Sequence, residues 1–366
     1  MSISSREERE GMTKSCDVGS LPFPGESDMF LEGANRYTAG IDDASTKLFE
    51  QEVARAFFDK LKAGIEIPAF PQFRDMNDMF LSALQGLEKM TEGYVETGTL
   101  TVKQGREMLP EVAVIRRNAD RFHVEIGRPF QLRVCVTGPY TLASLFPYRN
   151  SQTYTQLGRV LSKVVEKNVF AVKQGEVVLV SVDEPLFGVV DDPLIDRGTD
   201  GREDLLAAWE SIMGRVRKRD VETCIHLHRT TNELFWEVES LGVVESHVDD
   251  PLYEMKATRG WLERKDKLLK ASVATTDFDR LIKEKLGLNA TEDAVADIWK
   301  KIAKGILSPE MYLEDVGLMK KRLEDTVERF GVERVAMAGT ECGLRGFPTY
   351  SSAIECLRRV SEVTSC

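Results

Sequence analysis

Val177-Val178-Leu179-Val180-Ser181-Val182-Asp183-Glu184-Pro185 is the stretch on which the reading of the fold turns. A half-exposed strand would alternate apolar and polar residues, whereas this one is apolar without interruption, as in parallel sheets covered by helices on both faces. Two acids and a proline close it at its C-terminal tip. Working outward, Phe130 to Thr137 is strand-like and ends in Gly138-Pro139-Tyr140-Thr141, with a helical stretch at 151–174 between the two strands. Downstream the alternation continues: helix 203–218, strand 221–228, helix 232–240, strand 243–248, strand Leu268 to Thr276, helices near 292–304 and 309–330, strand Arg334 to Ala338 and helix 350–362. Roughly seven or eight βα units in about 350 residues favour closure into a barrel over an open sheet. Upstream, Phe49, Val53, Phe57 and Leu61 give 43–64 the spacing of an amphipathic helix. Phe70-Pro71-Gln72-Phe73-Arg74 leads into a second helical run, and Thr101 to Arg121 reads as helix too. The expectation is an α/β protein, a (β/α)8 TIM barrel with helical N-terminal additions. A flexible lead-in, 1–14, precedes a single catalytic domain over 15–366, because no low-complexity linker divides it.

Composition narrows the function classes. The formal net charge is -11, and no Lys/Arg cluster interleaved with aromatics appears, which excludes a nucleic-acid footprint. The first residues carry mixed charge (Ser5-Arg6-Glu7-Glu8-Arg9-Glu10) without an apolar core, and no apolar run reaches membrane-spanning length; a cytoplasmic protein is expected. Six scattered cysteines read as reduced thiols.

The residues with chemical potential fall where barrel chemistry does, at or just after strand C-termini: Ser20, Thr137, Asp183, His228, Asp249, Asp277 and Cys342. Three of the four histidines lie between His226 and His247. Strand alternation turns His226, His228 and Thr230 to one side, and Glu245, His247 and Asp249 repeat the pattern one strand later. With Cys342 in Gly339-Thr340-Glu341-Cys342-Gly343-Leu344, these residues offer imidazole, carboxylate and thiolate from three strand ends, a zinc site with an open position. The alternative from spacing alone is core histidines, solvated acids and a small buried cysteine. In Cys16-Asp17-Val18-Gly19-Ser20-Leu21-Pro22, Gly19 and Ser20 form a turn offering N–H groups and a hydroxyl to an anion.

Asp17-Val18-Gly19-Ser20-Leu21-Pro22, Thr137-Gly138-Pro139-Tyr140-Thr141, Val182-Asp183-Glu184-Pro185, Ile225-His226-Leu227-His228 and Glu341-Cys342-Gly343-Leu344-Arg345 stand in the order seen in cobalamin-independent methionine synthases. From about residue 15 to 360 the chain resembles the catalytic barrel of that family, specifically its short, barrel-only core form. More widely, it resembles the superfamily shared with uroporphyrinogen decarboxylases. The resemblance implies methyl transfer to a zinc-activated thiolate, that of homocysteine giving methionine. It implies His228, Asp249 and Cys342 as metal ligands, with His247 the runner-up to Asp249. Gly19 and Ser20 match the carboxylate-binding turn, and Asp78 and Asp183 match acids that hold the amino group. Three departures are visible. The family's second thiolate is Thr230 here, so His226 or His247 must compensate or the metal is held differently. The aromatic that stacks on a pterin is Leu145, and the proton-carrying histidine is Asp277, the catalytic candidate. Losing the pterin contact points away from methyltetrahydrofolate and towards a methylcorrinoid protein as donor. Other readings are alkyl transfer to another thiol such as coenzyme M, a decarboxylase-like lyase, whose mouth would need more arginines, and a non-catalytic paralogue.

Overall fold

Parallel strands organise the chain, and the computed structural model describes them within residues 13–365; most of the expected lead-in, residues 1–12, lies outside the described residues. The strands are β1 (Lys14–Cys16), β2 (Leu84–Met90), β3 (Gly93–Val102), β4 (Phe130–Thr137), β5 (Ala171–Val172), β6 (Gly175–Glu184), β7 (Glu222–Leu227), β8 (Val243–Glu245), β9 (Leu268–Ala274) and β10 (Val335–Thr340). In the main sheet the order is β1-β10-β9-β8-β7-β6-β4, with every neighbouring pair parallel. The remaining gap, between β1 and β4, is filled by the extended segment 67–72. Ile67 N–H donates to Ser15 O (3.0 Å) on one side, and Arg133 N–H donates to Pro68 O (2.9 Å) on the other. Pro68 and Pro71 have no N–H to give, so the pairing is reduced to bridges at Cys16–Ile67, Ala69–Arg133 and Ser20–Gln72. The sheet is thereby closed into an eight-position barrel of the TIM type.

The covering helices are α1 (Ser27–Thr38), α2 (Ala44–Lys62), α3 (Asp78–Leu81), α4 (Pro110–Arg117), α5 (Ala119–Ile126), α6 (Pro139–Ala143), α7 (Ser151–Asn168), α8 (Asp200–Arg217), α9 (Pro251–Glu254), α10 (Lys256–Arg264), α11 (Phe278–Leu286), α12 (Glu292–Ala303), α13 (Val316–Phe330) and α14 (Tyr350–Thr364). Several open on a side-chain cap: Asp43 accepts from Thr46 N–H, Thr199 from Arg202, Asp315 from Leu318 and Thr349 from Ser352. None of them is long and apolar enough to cross a membrane.

The N-terminal additions are only partly helical. Where helix and loop are expected after 80, β2 and β3 form an antiparallel hairpin. Its second strand, Gly93-Tyr94-Val95-Glu96-Thr97-Gly98-Thr99-Leu100-Thr101-Val102, is rich in β-branched residues, and the helix expected from Thr101 begins only at Pro110. Gly93 (φ +137°) allows the hairpin to dock: a Cβ there would lie 2.2 Å from Leu145 O, and the neighbouring Tyr94 N–H donates to that same oxygen at 2.8 Å.

Inside the barrel the side chains form layers. Cys16, Ile67, Leu179, Cys224, Val243, Leu268 and Met337 close the lower end. Above them lies a charged layer, Arg133, Glu245 and Lys270, each 0% exposed. Lys270 reaches across because residue 339 is glycine: a Cβ there would lie 2.8 Å from its Cε.

Candidate metal centre

Strand alternation continues upward from the charged layer and carries three imidazoles to the C-terminal mouth. His226 is on β7, with His228 just past its end, and His247 follows β8; their ring centroids are 5.5 Å (His226 to His228), 6.1 Å (His226 to His247) and 4.2 Å (His228 to His247) apart. Cys342, in the loop after β10, completes the group, its Sγ 3.5 Å from His228 Nε2. Among the described residues these four form a His/Cys/Asp/Glu group able to hold a metal ion, with their donor atoms all within 4.8 Å of one another.

The donor set fits zinc. A tetrahedral ion with Zn–N near 2.0–2.1 Å and Zn–S near 2.3 Å needs donors about 3.3–3.6 Å apart; Cys342 Sγ and His228 Nε2, at 3.5 Å, meet that spacing, and the other donors lie within 4.8 Å. Nε2 of His226 and Nε2 of His247 are buried with no hydrogen-bond partner, a costly arrangement that a bound cation would relieve, while Nδ1 of His226 lies 3.2 Å from Glu245 Oε1. Burial, reinforced by neighbouring His226, drives His228 down to about 3 and His247 down to about 4, so both offer neutral imidazoles. His226 differs: burial opposes its charge, but Glu245 and Cys342 outweigh burial and hold it up at about 10, so a metal ion taking Nε2 would displace a proton from it.

The loops that present these side chains are fastened by buried carboxylates. Glu341 accepts from Val248 N–H (3.0 Å) and Thr276 N–H (2.8 Å), tying the loop of Cys342 to those after β8 and β9. Asp250 accepts from Thr230 N–H (3.0 Å), Thr230 Oγ1–H and Leu252 N–H (2.8 Å), tying the β7 and β8 loops together. On another side of the mouth, Glu184 at the end of β6 accepts from Tyr140 N–H (2.9 Å), Thr141 N–H (2.7 Å) and Trp209 Nε1–H (2.8 Å), tying α6 to α8. Glu341, Asp250 and Glu184 are braces that the residue pattern alone did not single out; acids next to the strand ends were the available signal.

The residues expected in the site divide into two sets. His228 and Cys342 meet, with His226 and His247. Asp183 is buried and pairs in register with His226 across β6 and β7; its Oδ1 accepts from Ser181 Oγ–H (2.6 Å), and burial raises its pKa. Gly19 (φ +126°) turns the chain where a Cβ would strike Gln72 Nε2 at 2.6 Å, and Ser20 lies against Gly343, beside Cys342. The turn is held from beneath by Lys60, fully buried, whose Nζ donates to Asp17 Oδ2 (2.7 Å), Gly19 O (2.9 Å) and Ala69 O (3.0 Å).

The second set lies elsewhere. Asp249 is exposed and pairs with Arg280, outside the His/Cys group, while Thr230 gives its hydroxyl to Asp250. Asp78 accepts from Tyr94 Oη–H (2.8 Å) and pairs with Lys89 (3.3 Å), on the wall of a cavity of about 590 Å³ that Arg345 also lines. Asp277 is the N-cap of α11, accepting from Arg280 N–H at 3.1 Å.

No family model and no curated protein matches the sequence. Solved structures do match its fold. A B12-independent methionine synthase from a Shewanella species, in complex with selenomethionine, superposes with a TM-score of 0.61 at 13% identity, over 97% of this chain and 98% of that one. A putative vitamin-B12-independent methionine synthase from Listeria monocytogenes gives 0.56, also at 13% identity and over the same shares of both chains. The chain thus shares the fold of these structures over 97% of its length.

Proposed function

We propose that the protein is a cytoplasmic zinc-dependent S-methyltransferase that moves a methyl group to the thiolate of homocysteine, giving methionine. The observation that carries this reading is the convergence of His226, His228, His247 and Cys342 on one point at the barrel mouth, next to Asp183 and the Gly19–Ser20 turn. The selenomethionine in the Shewanella structure, whose fold this chain shares, supports an amino-acid substrate. A bound zinc ion supplies the charge that keeps a thiol ionised near neutral pH.

The chain's own residues do the rest. Asp183 sits one strand from His226 and offers a carboxylate to the substrate ammonium, while Gly19 and Ser20 offer N–H and hydroxyl groups to its carboxylate. Asp78, proposed as a second acid for the ammonium, lines a cavity of its own with Arg345 and would have to exchange its Tyr94 and Lys89 partners to serve. An acid beside the cluster favours a thiol with an ammonium over a sulfonate thiol such as coenzyme M. Asp277 takes the proton-carrying position in this reading. Leu145 gives a pterin no ring to stack on, so a methylcorrinoid protein is the favoured donor.

The test is elemental analysis of the purified protein, followed by zinc X-ray absorption with homocysteine and with coenzyme M. About one zinc per chain, gaining one sulfur neighbour with homocysteine, is expected. Protein that takes up no metal after reconstitution would sink the reading and reopen the lyase and non-catalytic alternatives.

A further inference from the structure

The site lacks a second thiolate at Thr230, whose hydroxyl is given to Asp250. His226 is the extra imidazole of the group, and something must aim it. We propose that Glu245 is the positioning residue of the centre: it accepts a hydrogen bond from Nδ1–H of His226, fixing the tautomer that leaves Nε2 free as the donor that replaces the missing thiolate. This inference rests on the metal-binding reading above.

The geometry supports it from both sides. Glu245 Oε1 lies 3.2 Å from His226 Nδ1, and neither ring nitrogen of His226 has another partner. At 3.2 Å the pair is within reach of a hydrogen bond, though it is not aligned as one. The carboxylate itself is immobile. Its Oε1 accepts from Lys270 Nζ (2.6 Å), its Oε2 pairs with Arg133 Nη1 (2.8 Å) and takes Cys224 Sγ–H (3.5 Å), and all of it is buried. Lys270 is anchored in turn on Thr340 O at 2.8 Å, two residues before Cys342. A carboxylate claimed by two cations is a poor metal ligand, and Glu245 is not among the four grouped donors. As an acceptor for Nδ1–H it is well placed, the arrangement by which outer carboxylates orient ligating histidines. Arg133 and Lys270 then serve to keep Glu245 ionised and below the metal.

The experiment is a double-mutant cycle read by metal affinity. Cobalt(II) and zinc are titrated against a competing chelator into the full-length protein, its Glu245→Gln and His226→Ala variants, and the two combined. Glu245→Gln is expected to weaken binding about 10- to 100-fold. His226→Ala is expected to weaken it at least as much, and the combination no further than His226→Ala alone, because both changes remove one donor. The cobalt spectrum should keep the thiolate charge-transfer band of Cys342 while its d–d bands change. Effects that simply multiply, or an unchanged affinity in Glu245→Gln, overturn the proposal while leaving the metal site standing. Wild-type protein that binds neither metal overturns both. Glu245→Gln leaves two buried cations facing an amide, so Glu245→Gln with Lys270→Met is measured as well. That variant, folded by circular dichroism, must show the same drop; wild-type affinity in it refutes the assignment.

Discussion

Thr230→Val separates the two readings of the altered metal-binding motif. Valine has the shape of threonine without the hydroxyl, and the site is closed: Thr230 is 5% and Asp250 1% exposed. Asp250 draws on three donors, Thr230 N–H, Thr230 Oγ1–H and Leu252 N–H, and the variant removes only the hydroxyl. A hydrogen bond to a charged acceptor is worth about 1.5–3 kcal/mol, and no water can reach the vacated oxygen, so a loss of about 2 kcal/mol is expected. The measurement is urea unfolding of the metal-free protein, paired with zinc content of the reconstituted protein. Zinc should stay at the wild-type level, because the hydroxyl faces Asp250 and stands outside the group formed by His226, His228, His247 and Cys342. His226→Ala should show the reverse, with zinc affinity reduced and the Thr230–Asp250 brace intact. A zinc loss in Thr230→Val with normal binding in His226→Ala would refute the assignment and make the hydroxyl a ligand.

Three other outcomes are expected. Lys60→Met strands Asp17 in a buried position and frees the Gly19 turn, so unfolding free energy should fall by about 3–5 kcal/mol; a change under about 1 kcal/mol would show the pair to be dispensable. Asp183→Asn should raise the KM for homocysteine at least about tenfold, equivalent to about 1.4 kcal/mol, with zinc content unchanged; loss of zinc ahead of substrate affinity would move Asp183 into the metal shell. Burial raises Glu184 from an ordinary 4.5 to about 7, against the pull of three N–H donors. A raised carboxyl stabilises the fold below its unfolded pKa, and that contribution fades as pH climbs from about 4.5 through 7. The difference in stability between wild type and Glu184→Gln should therefore change across that window and be flat above about pH 8; a difference flat throughout would refute it.

How much of this was legible in the sequence depends on which physical signal each part carries. The continuous apolar run before Asp183 and the βα alternation after it gave the barrel, and the strand expected at Phe130 to Thr137 has those bounds. The barrel position at 67–72 carries no strand signal because Pro68 and Pro71 argue against a central strand, and the position is held by a few long-range bonds instead. The hairpin of β2 and β3 reads as helix and loop in the sequence, because its strands lie between stronger helical patterns. At the site, period-two alternation brought His226, His228 and His247 to one side before any coordinates. The same rule cannot say how far above the strand end a side chain stays in the barrel. Glu245, His247 and Asp249 share a face by count, yet β8 ends at Glu245, and beyond it the chain turns. There Asp249 swings out to Arg280, and Asp250, out of phase in the count, turns inward to brace Thr230. The candidate donor set is thus decided at the exit of the strand, where Glu341 and Asp250 clamp the loops. Those clamps are pairs distant in sequence, such as Glu341 with Val248, that no local period records.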